Sequence, residues 1–292
     1  MNDAPNERLA LGCALAAVLA WSTVATGFKL GLQRLEPLQL LWLGTLVSLG
    51  FFAVLLLATG RWRRLTALPA RGWAQAAGLG LLNPFLYYFI LFEAYDRLPA
   101  QIAQPLNYTW AIMLAILAVP ILRQPLTRRS LAGIVLSYAG VVVLLAQGRF
   151  DGIAQVDALG VALALVSTLV WALYWLANVR VKIDPVVLMT ASFAVAAPAV
   201  GIACALREGL PALSAPALGY GAWVGLIEMG MTFVLWQTAM RRTAHAGRLA
   251  QLIFLSPFLS LVLIDRVLGE AVSANSVAGL ALIVAGLLVA RR

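Results

Sequence analysis

The chain has 292 residues, 62% of them hydrophobic and only 11% charged, against the roughly one quarter charged that is usual in soluble domains. That balance excludes a soluble globular protein and places the chain in a bilayer. The net charge of +9 would suit a nucleic-acid partner, but the cations cluster by loop, which makes them a topology signal and leaves no nucleic-acid site.

Charge-free runs near or above the ~20 residues that a helix needs to cross hydrocarbon recur along the whole length. In chain order they are Leu9 to Phe28, Leu38 to Gly60, Gly72 to Phe92, Leu98 to Leu122, Ser130 to Gly148, Ala158 to Val179 and Val186 to Leu206. Ala215 to Met240 follows, with the carboxylate of Glu228 at its centre. Leu249 to Ile264 is shorter and recruits Ala246 to Arg248 at its start, and the last run is Ala271 to Ala290. The expectation is an all-α integral membrane protein of ten transmembrane helices, with loops no longer than about a dozen residues. The first run is long for the apolar core of a signal peptide and lacks a strongly basic stretch before it, so it reads as a helix of the fold. Cys13 and Cys204 fall inside runs and read as small packing residues rather than a disulfide or metal site. No metal and no cofactor are expected.

The chain repeats itself. At an offset of 146, Gln124, Gly133 and Gly140 fall on Glu270, Gly279 and Gly286, within the similar runs LTRRSLAGIVLSYAGVVVL and VSANSVAGLALIVAGLLVA. At nearby offsets Trp21 answers to Trp171, Glu36-Pro37 to Asp184-Pro185, and Ala94 to Ala239. The expected units are residues 1–148 and 149–292, five helices each. Five is odd, so the second unit enters the membrane with the opposite orientation, and the repeats are inverted. Of the 21 Lys and Arg, only Lys29, Arg34, Arg97, Arg149, Arg207 and Arg266 lie in loops on the side away from the termini. The remaining cations share the side of both termini, which the positive-inside rule makes cytoplasmic. Arg61, Arg63 and Arg64 read first as a solvated cytoplasmic face, with contact to anionic membrane lipid as the alternative. Inverted repeats supply two nearly equivalent conformations, the requirement for alternating access.

The paired signatures RQPLTRRSLAGIVLSYAG and LGEAVSANSVAGLALIVAG, with the opening LAWSTVATGFKLGL, resemble the drug/metabolite transporter superfamily. Over essentially the whole chain the similarity is to its ten-helix EamA-type members, most of all the YddG-type aromatic amino-acid exporters. The resemblance implies that spans 1, 3, 4, 6, 8 and 9 line a central cavity, that spans 5 and 10 support it, and that neutral apolar and aromatic amino acids are exported. Such members carry Glu before the last helix of each repeat; here the first copy has Gln124 and only the second has an acid, Glu270. Glu270 therefore reads as a structural acid near a helix N-terminus.

Glu228 is the sharpest single residue. A mid-membrane carboxylate costs at least ~2.5 kcal/mol, so it faces a cavity, finds a partner or stays protonated. It either meets a substrate ammonium or coupling proton, or serves as a neutral hydrogen-bonded acid holding the bundle together. At the local offset of 145 its repeat mate is Asn83, at equivalent depth. Trp21, Tyr87, Tyr108, Trp110, Trp171, Trp175 and Trp236 sit deep in runs, away from the interfaces where membrane Trp and Tyr usually concentrate. Together with Asn107 they suit an aromatic-walled cavity, although core packing would account for any one of them. Pro84, Pro105 and Pro257 break their helices beside these residues and read as hinges; Pro198 reads as a static kink. Gly133/Gly140 and Gly279/Gly286, seven apart, line one helix face for close approach. Glu93 and Arg97 read as a local ion pair, and His245 as a loop residue.

No nucleophile motif, phosphate loop or metal-ligand spacing appears. The chain reads as a secondary transporter, ahead of a passive channel or an integral-membrane enzyme. Amino acids are the favoured substrates; a broader metabolite or drug exporter is the alternative. Two lysines among the 21 cations, with heavy Ala, Leu and Gly use, point to a GC-rich bacterial gene and the plasma membrane. Asp151→Cys and Gly209→Cys are expected to react with an impermeant thiol reagent outside intact cells, and Arg63→Cys and Arg128→Cys to stay silent. The reverse pattern would overturn the topology.

Overall fold

The computed structural model describes residues 6–123, 127–146, 156–178, 180–245 and 249–291. The expectations placed on Gln124, Gly148, Arg149, Asp151, Val179 and Ala246 to Arg248 lie outside them. Among the described residues the regular structure is entirely helical. Among the described residues nine helices are long and apolar enough to cross a membrane: α1 (Glu7–Leu32), α2 (Pro37–Ala58), α3 (Ala70–Arg97), α4 (Ala100–Ile121), α5 (Arg128–Ala146), α6 (Ala158–Asn178), α7 (Pro185–Arg207), α8 (Ala215–Arg242) and α9 (Gln251–Leu268). A shorter apolar helix, α10 (Ala274–Ala290), follows. Several helices outrun the charge-free stretches by a turn, because Lys29, Arg97 and Arg266 ride in final turns where a charged side chain can reach past the hydrocarbon.

Local chemistry sets the starts and stops. Pro37 and Pro185 open α2 and α7, where a missing N–H leaves nothing unsatisfied. Asp184 accepts from Val186 N at 3.0 Å and Val187 N at 3.4 Å. The first free donors of α2 go to a remote acid instead: Glu208, just past α7, accepts from Leu38 N at 2.9 Å and Gln39 N at 3.2 Å. Glu208 lies outside the span, and burial holds its carboxyl above the usual carboxylate range while those two N–H groups pull it down. Gly60 and Gly209, at φ 67° and 78°, turn the chain out of α2 and α7.

Five helices are broken along their length, α4 among them, which steps at Thr109 between Ala100–Tyr108 and Trp110–Leu122. Asn83, before Pro84, has non-helical backbone at φ −150° and ψ 119°. In α8 a widened turn over Val224–Glu228 ends at Gly230, which is also non-helical. α1 steps at Thr23, and Pro257 starts the straight part of α9, Ser256–Leu263. α7 runs unbroken through Pro198.

The closest helix contact joins α5 to α10. A Cβ built on Gly140 would stand 2.6 Å from the Gly279 carbonyl, and one on Gly279 would stand 2.8 Å from that of Gly140. Gly133 meets Gly286 in the same way, so the helices are antiparallel, and Ser137 Oγ donates to the Ile283 carbonyl at 3.0 Å. α2 and α7 are antiparallel too: Glu208 caps the start of α2, while Arg61 and Arg64, past its end, reach Asp184 at 3.3 and 3.1 Å.

The two ends of the bundle differ. At the end bearing Pro99, Lys29 Nζ donates to the carbonyls of Tyr95 (2.8 Å) and Leu98 (3.1 Å). Arg207 pairs with Glu93 at 2.7 Å and Arg97 with Asp157 at 3.7 Å. The expected Glu93–Arg97 pair is present but looser, at 4.0 Å. Gln101 N donates to Glu270 at 3.4 Å, and Gln101 Nε2 to the Ala271 carbonyl at 3.0 Å. Glu270 thus caps α4, a structural use of that acid. Behind this seal Val24–Phe28 of α1 and Ile102–Leu106 of α4 are buried without exception; five successive residues exceed a helical turn, so every face is packed. Toward the other end, which bears Pro69, Met113–Leu117 of α4 and Val234–Thr238 of α8 are all only half-buried. The bundle is shut at the Pro99 end and loosened at the Pro69 end.

Replacing Gly140 with Leu is expected to cost about 1 to 3 kcal/mol by overpacking, seen as a lower melting temperature in detergent. An unchanged melting curve would mean that the two helices part freely.

Candidate functional site

The broken helices bring most of the singled-out residues together. Trp171 of α6 is the hub: its ring centroid lies 4.4 Å from Tyr87 of α3, 6.5 Å from Trp110 of α4, 6.2 Å from Phe233 of α8, and 5.5 and 5.9 Å from Tyr174 and Trp175 of its own helix. Phe233 in turn meets Trp21 of α1 at 5.7 Å, and Trp21 meets Trp236 at 5.6 Å. One aromatic cluster therefore spans α1, α3, α4, α6 and α8. Its centre is tight, with Trp171 8% and Tyr87 4% exposed, whereas Trp21, Trp110 and Trp175 keep accessible surface.

Polar groups hang on this cluster. Tyr87 Oη donates to Asn107 Oδ1 at 3.4 Å, and Asn107 Nδ2 donates to Ser167 Oγ at 3.3 Å. Tyr88, whose ring lies 4.7 Å from that of Tyr87, donates to Glu228 Oε1 at 2.9 Å. Trp21 lies beside the same carboxyl group. The second oxygen, Glu228 Oε2, is buried and receives no well-aligned hydrogen bond, the neighbouring Trp21 indole being its nearest candidate donor. Tyr108 stands apart from the aromatic hub, its hydroxyl 2.9 Å from Ser256 Oγ on α9.

Asn83 and Glu228, matched by the repeat, both sit at irregular backbone, one at the break of α3 and the other closing the widened turn of α8. Asn83 is 4% exposed and its Oδ1 is unpartnered. Of the prolines, Pro84 adjoins this amide, Pro105 lies inside the first part of α4 and Pro257 follows Ser256. The arrangement joins an acid, two amides and a ring-lined wall, a set suited to a small molecule with an apolar body and a polar head.

Sequence reasoning missed Tyr88, Tyr174, Phe233, Ser167 and Ser256. Tyr88 carried a usable signal, since a tyrosine in a span must find an acceptor and Glu228 was the conspicuous one. Among the described residues no three His, Cys, Asp or Glu side chains converge as a metal ion would require. Cys13 and Cys204 are free thiols, and His245 is exposed beyond α8.

Truncating the hub and truncating the rim have different expected costs. Trp171→Ala empties the centre of the cluster and should destabilise the protein by about 3 to 5 kcal/mol. Trp110→Ala, at a partly open ring, should leave melting nearly unchanged and weaken binding of aromatic ligands by about 0.5 to 1.5 kcal/mol. Thermal melting and ligand titration of both variants separate the two, and equal melting curves would overturn the assignment of hub and rim.

A family model described as the EamA-like transporter family matches the chain twice, over residues 8–146 and 158–292. An uncharacterized transporter of Archaeoglobus fulgidus is 29% identical over 175 residues, which are 60% of this chain and 57% of that relative, so the match spans little more than half of its length. The uncharacterized transporter YvbV of Bacillus subtilis is 24% identical over 288 residues, 97% of this chain and 92% of its own. The aromatic amino acid exporter YddG of Ancylobacter novellus is 28% identical over 283 residues, 94% of each chain. A crystal structure with 23% identity superposes with a TM-score of 0.66 over 98% of this chain and 97% of its own, a likeness of fold. With both halves matched, the chain belongs to the EamA-like transporter family and is a multi-pass membrane transporter of the drug/metabolite transporter superfamily.

Proposed function

We propose that the protein is a secondary transporter that exports neutral apolar and aromatic amino acids across the bacterial plasma membrane by alternating access through a central, aromatic-walled site. One observation carries this reading. Among the described residues, the buried side-chain polar atoms without a partner are Thr26 Oγ1, Asn83 Oδ1, Gln104 Oε1, Trp175 Nε1, Glu228 Oε2 and Ser260 Oγ. They fall one each on α1, α3, α4, α6, α8 and α9, and none falls on α2, α5, α7 or α10. Leaving such an atom unbonded costs about 1 to 3 kcal/mol. A set confined to these six helices is accounted for by water or a ligand between them.

The pathway reading gives each group a task. Glu228 receives the substrate ammonium or a coupling proton, Asn83 and Asn107 meet the carboxylate, and the ring cluster holds the side chain. The antiparallel meeting of α2 with α7 and of α5 with α10 supports two inverted five-helix repeats, residues 1–148 and 149–292. The loop cations support cytoplasmic termini. The resemblance to YddG of Ancylobacter novellus supports aromatic side chains among the substrates.

Sealed vesicles loaded with labelled leucine or phenylalanine test the proposal, with and without an imposed proton gradient. Glu228→Gln keeps the shape and hydrogen bonding of the side chain but removes its charge. A charge-assisted hydrogen bond is worth about 1.5 to 3 kcal/mol, so transport should fall roughly ten- to hundredfold, with a flattened pH profile. A wild-type rate and pH profile in a well-folded Gln variant would make Glu228 a structural acid. Failure of the parent protein to move either amino acid would sink the substrate assignment.

A further inference from the structure

Three of the unpartnered atoms lie in the sealed half of the bundle, on segments that pack against one another: Val24–Leu32 of α1, Ala100–Tyr108 of α4 and Ser256–Leu263 of α9. Thr26 is 7% exposed, Gln104 4% and Ser260 0%. Most hydroxyls in the spans bond to their own helix, as Thr45 Oγ1 does to the Leu41 carbonyl at 2.7 Å and Thr109 Oγ1 to that of Leu106 at 2.7 Å. Thr26 and Ser260 have the same option and do not use it. Their geometry is further tied by the Tyr108–Ser256 hydrogen bond of 2.9 Å across α4 and α9. Gln104 is one turn before Tyr108 and Ser260 is one turn after Ser256, each on the same face as its neighbour. Because α4 leaves the Pro99 end and α9 approaches it, both residues lie about 6 Å beyond that bond toward the Pro99 end.

We propose that Thr26, Gln104 and Ser260 line the half of the pathway that opens to the Pro99 end, and that the Tyr108–Ser256 hydrogen bond is the latch that closes it. The inference rests on the transporter reading above. A conformation shut at the Pro99 end strands these oxygens; the opposite conformation wets them and lets them hydrate the zwitterionic head of a departing amino acid. Hydroxyl and amide groups suit that role because they exchange for water without trapping a charge. The latch sits between the aromatic hub and the stranded oxygens, so breaking it exposes them without disturbing the ring cluster.

Thiol labelling tests this independently of substrate identity. In a Cys13→Ser, Cys204→Ser background, Thr26→Cys, Gln104→Cys and Ser260→Cys are each treated with an impermeant methanethiosulfonate reagent in vesicles of both orientations. Gly209→Cys reports which orientation presents the Pro99 end, and Thr45→Cys, buried and bonded within its own helix, sets the unreactive baseline. Thr26→Cys and Ser260→Cys are nearly isosteric, so they carry the test even if Gln104→Cys folds poorly. The expected result is labelling from the Pro99 end at least tenfold faster than the baseline, accelerated several-fold by adding Tyr108→Phe. Baseline rates in Thr26→Cys and Ser260→Cys that melt like the parent overturn the pathway assignment, even if leucine or phenylalanine is transported. Labelling that Tyr108→Phe leaves unchanged overturns the latch.

Discussion

A polar group inside hydrocarbon must be bonded within the protein or meet a water-filled space, and this one constraint organises the molecule. It makes every span a helix and turns most hydroxyls back onto their own carbonyls. It also explains why carboxylates remote in sequence stand at helix starts, Glu208 on α2 and Glu270 on α4. Those acids perform a second task, since each ties the connection it caps to another one. At the Pro99 end residues 93–101 collect Lys29, Asp157, Arg207, Glu270 and Ala271 into a single polar lattice. Among the described residues, six buried side-chain atoms stand out as exceptions to this rule.

The site follows from where that rule is relaxed. Backbone breaks at Asn83 and at Gly230 interrupt α3 and α8, and Glu228 sits at the second break with one oxygen bonded to Tyr88, the other short of a well-formed hydrogen bond, and the Trp21 indole beside the carboxyl group. Tyr88 couples the acid to the ring cluster through Tyr87, so the charge-bearing and apolar parts of the site share a wall.

Much of this was legible in the sequence, and the limits have physical causes. Charge-free runs located the spans because hydrocarbon tolerates few charges, whereas the part of Pro37, Pro185, Gly60 and Gly209 in setting helix ends emerged only from the structure. The depth of Trp21, Trp110 and Trp171 was readable from their place in the runs. Their sharing of one cluster was not, because it depends on how α1, α4 and α6 rotate about their axes. Glu93 read as a local partner of Arg97, yet its shorter contact is to Arg207, on a helix far along the chain and invisible to any short-range pattern. The break of α3 announced itself through Pro84; the widened turn of α8 contains no proline and could not be foreseen.

The glycine contact between α5 and α10 has a mechanical consequence. Where two backbones touch with no side chain between them, sliding is blocked by the flanking Leu144 and Leu282, while rolling is not. One helix of the pair comes from each half of the chain, so the contact is placed where a fulcrum would be. Displacements of one half against the other are smallest at this spine and grow with distance from it. Any tilt at this contact would be magnified toward the far side of the bundle, so a pair of helices without chemistry of their own would govern how far the two halves can swing against each other.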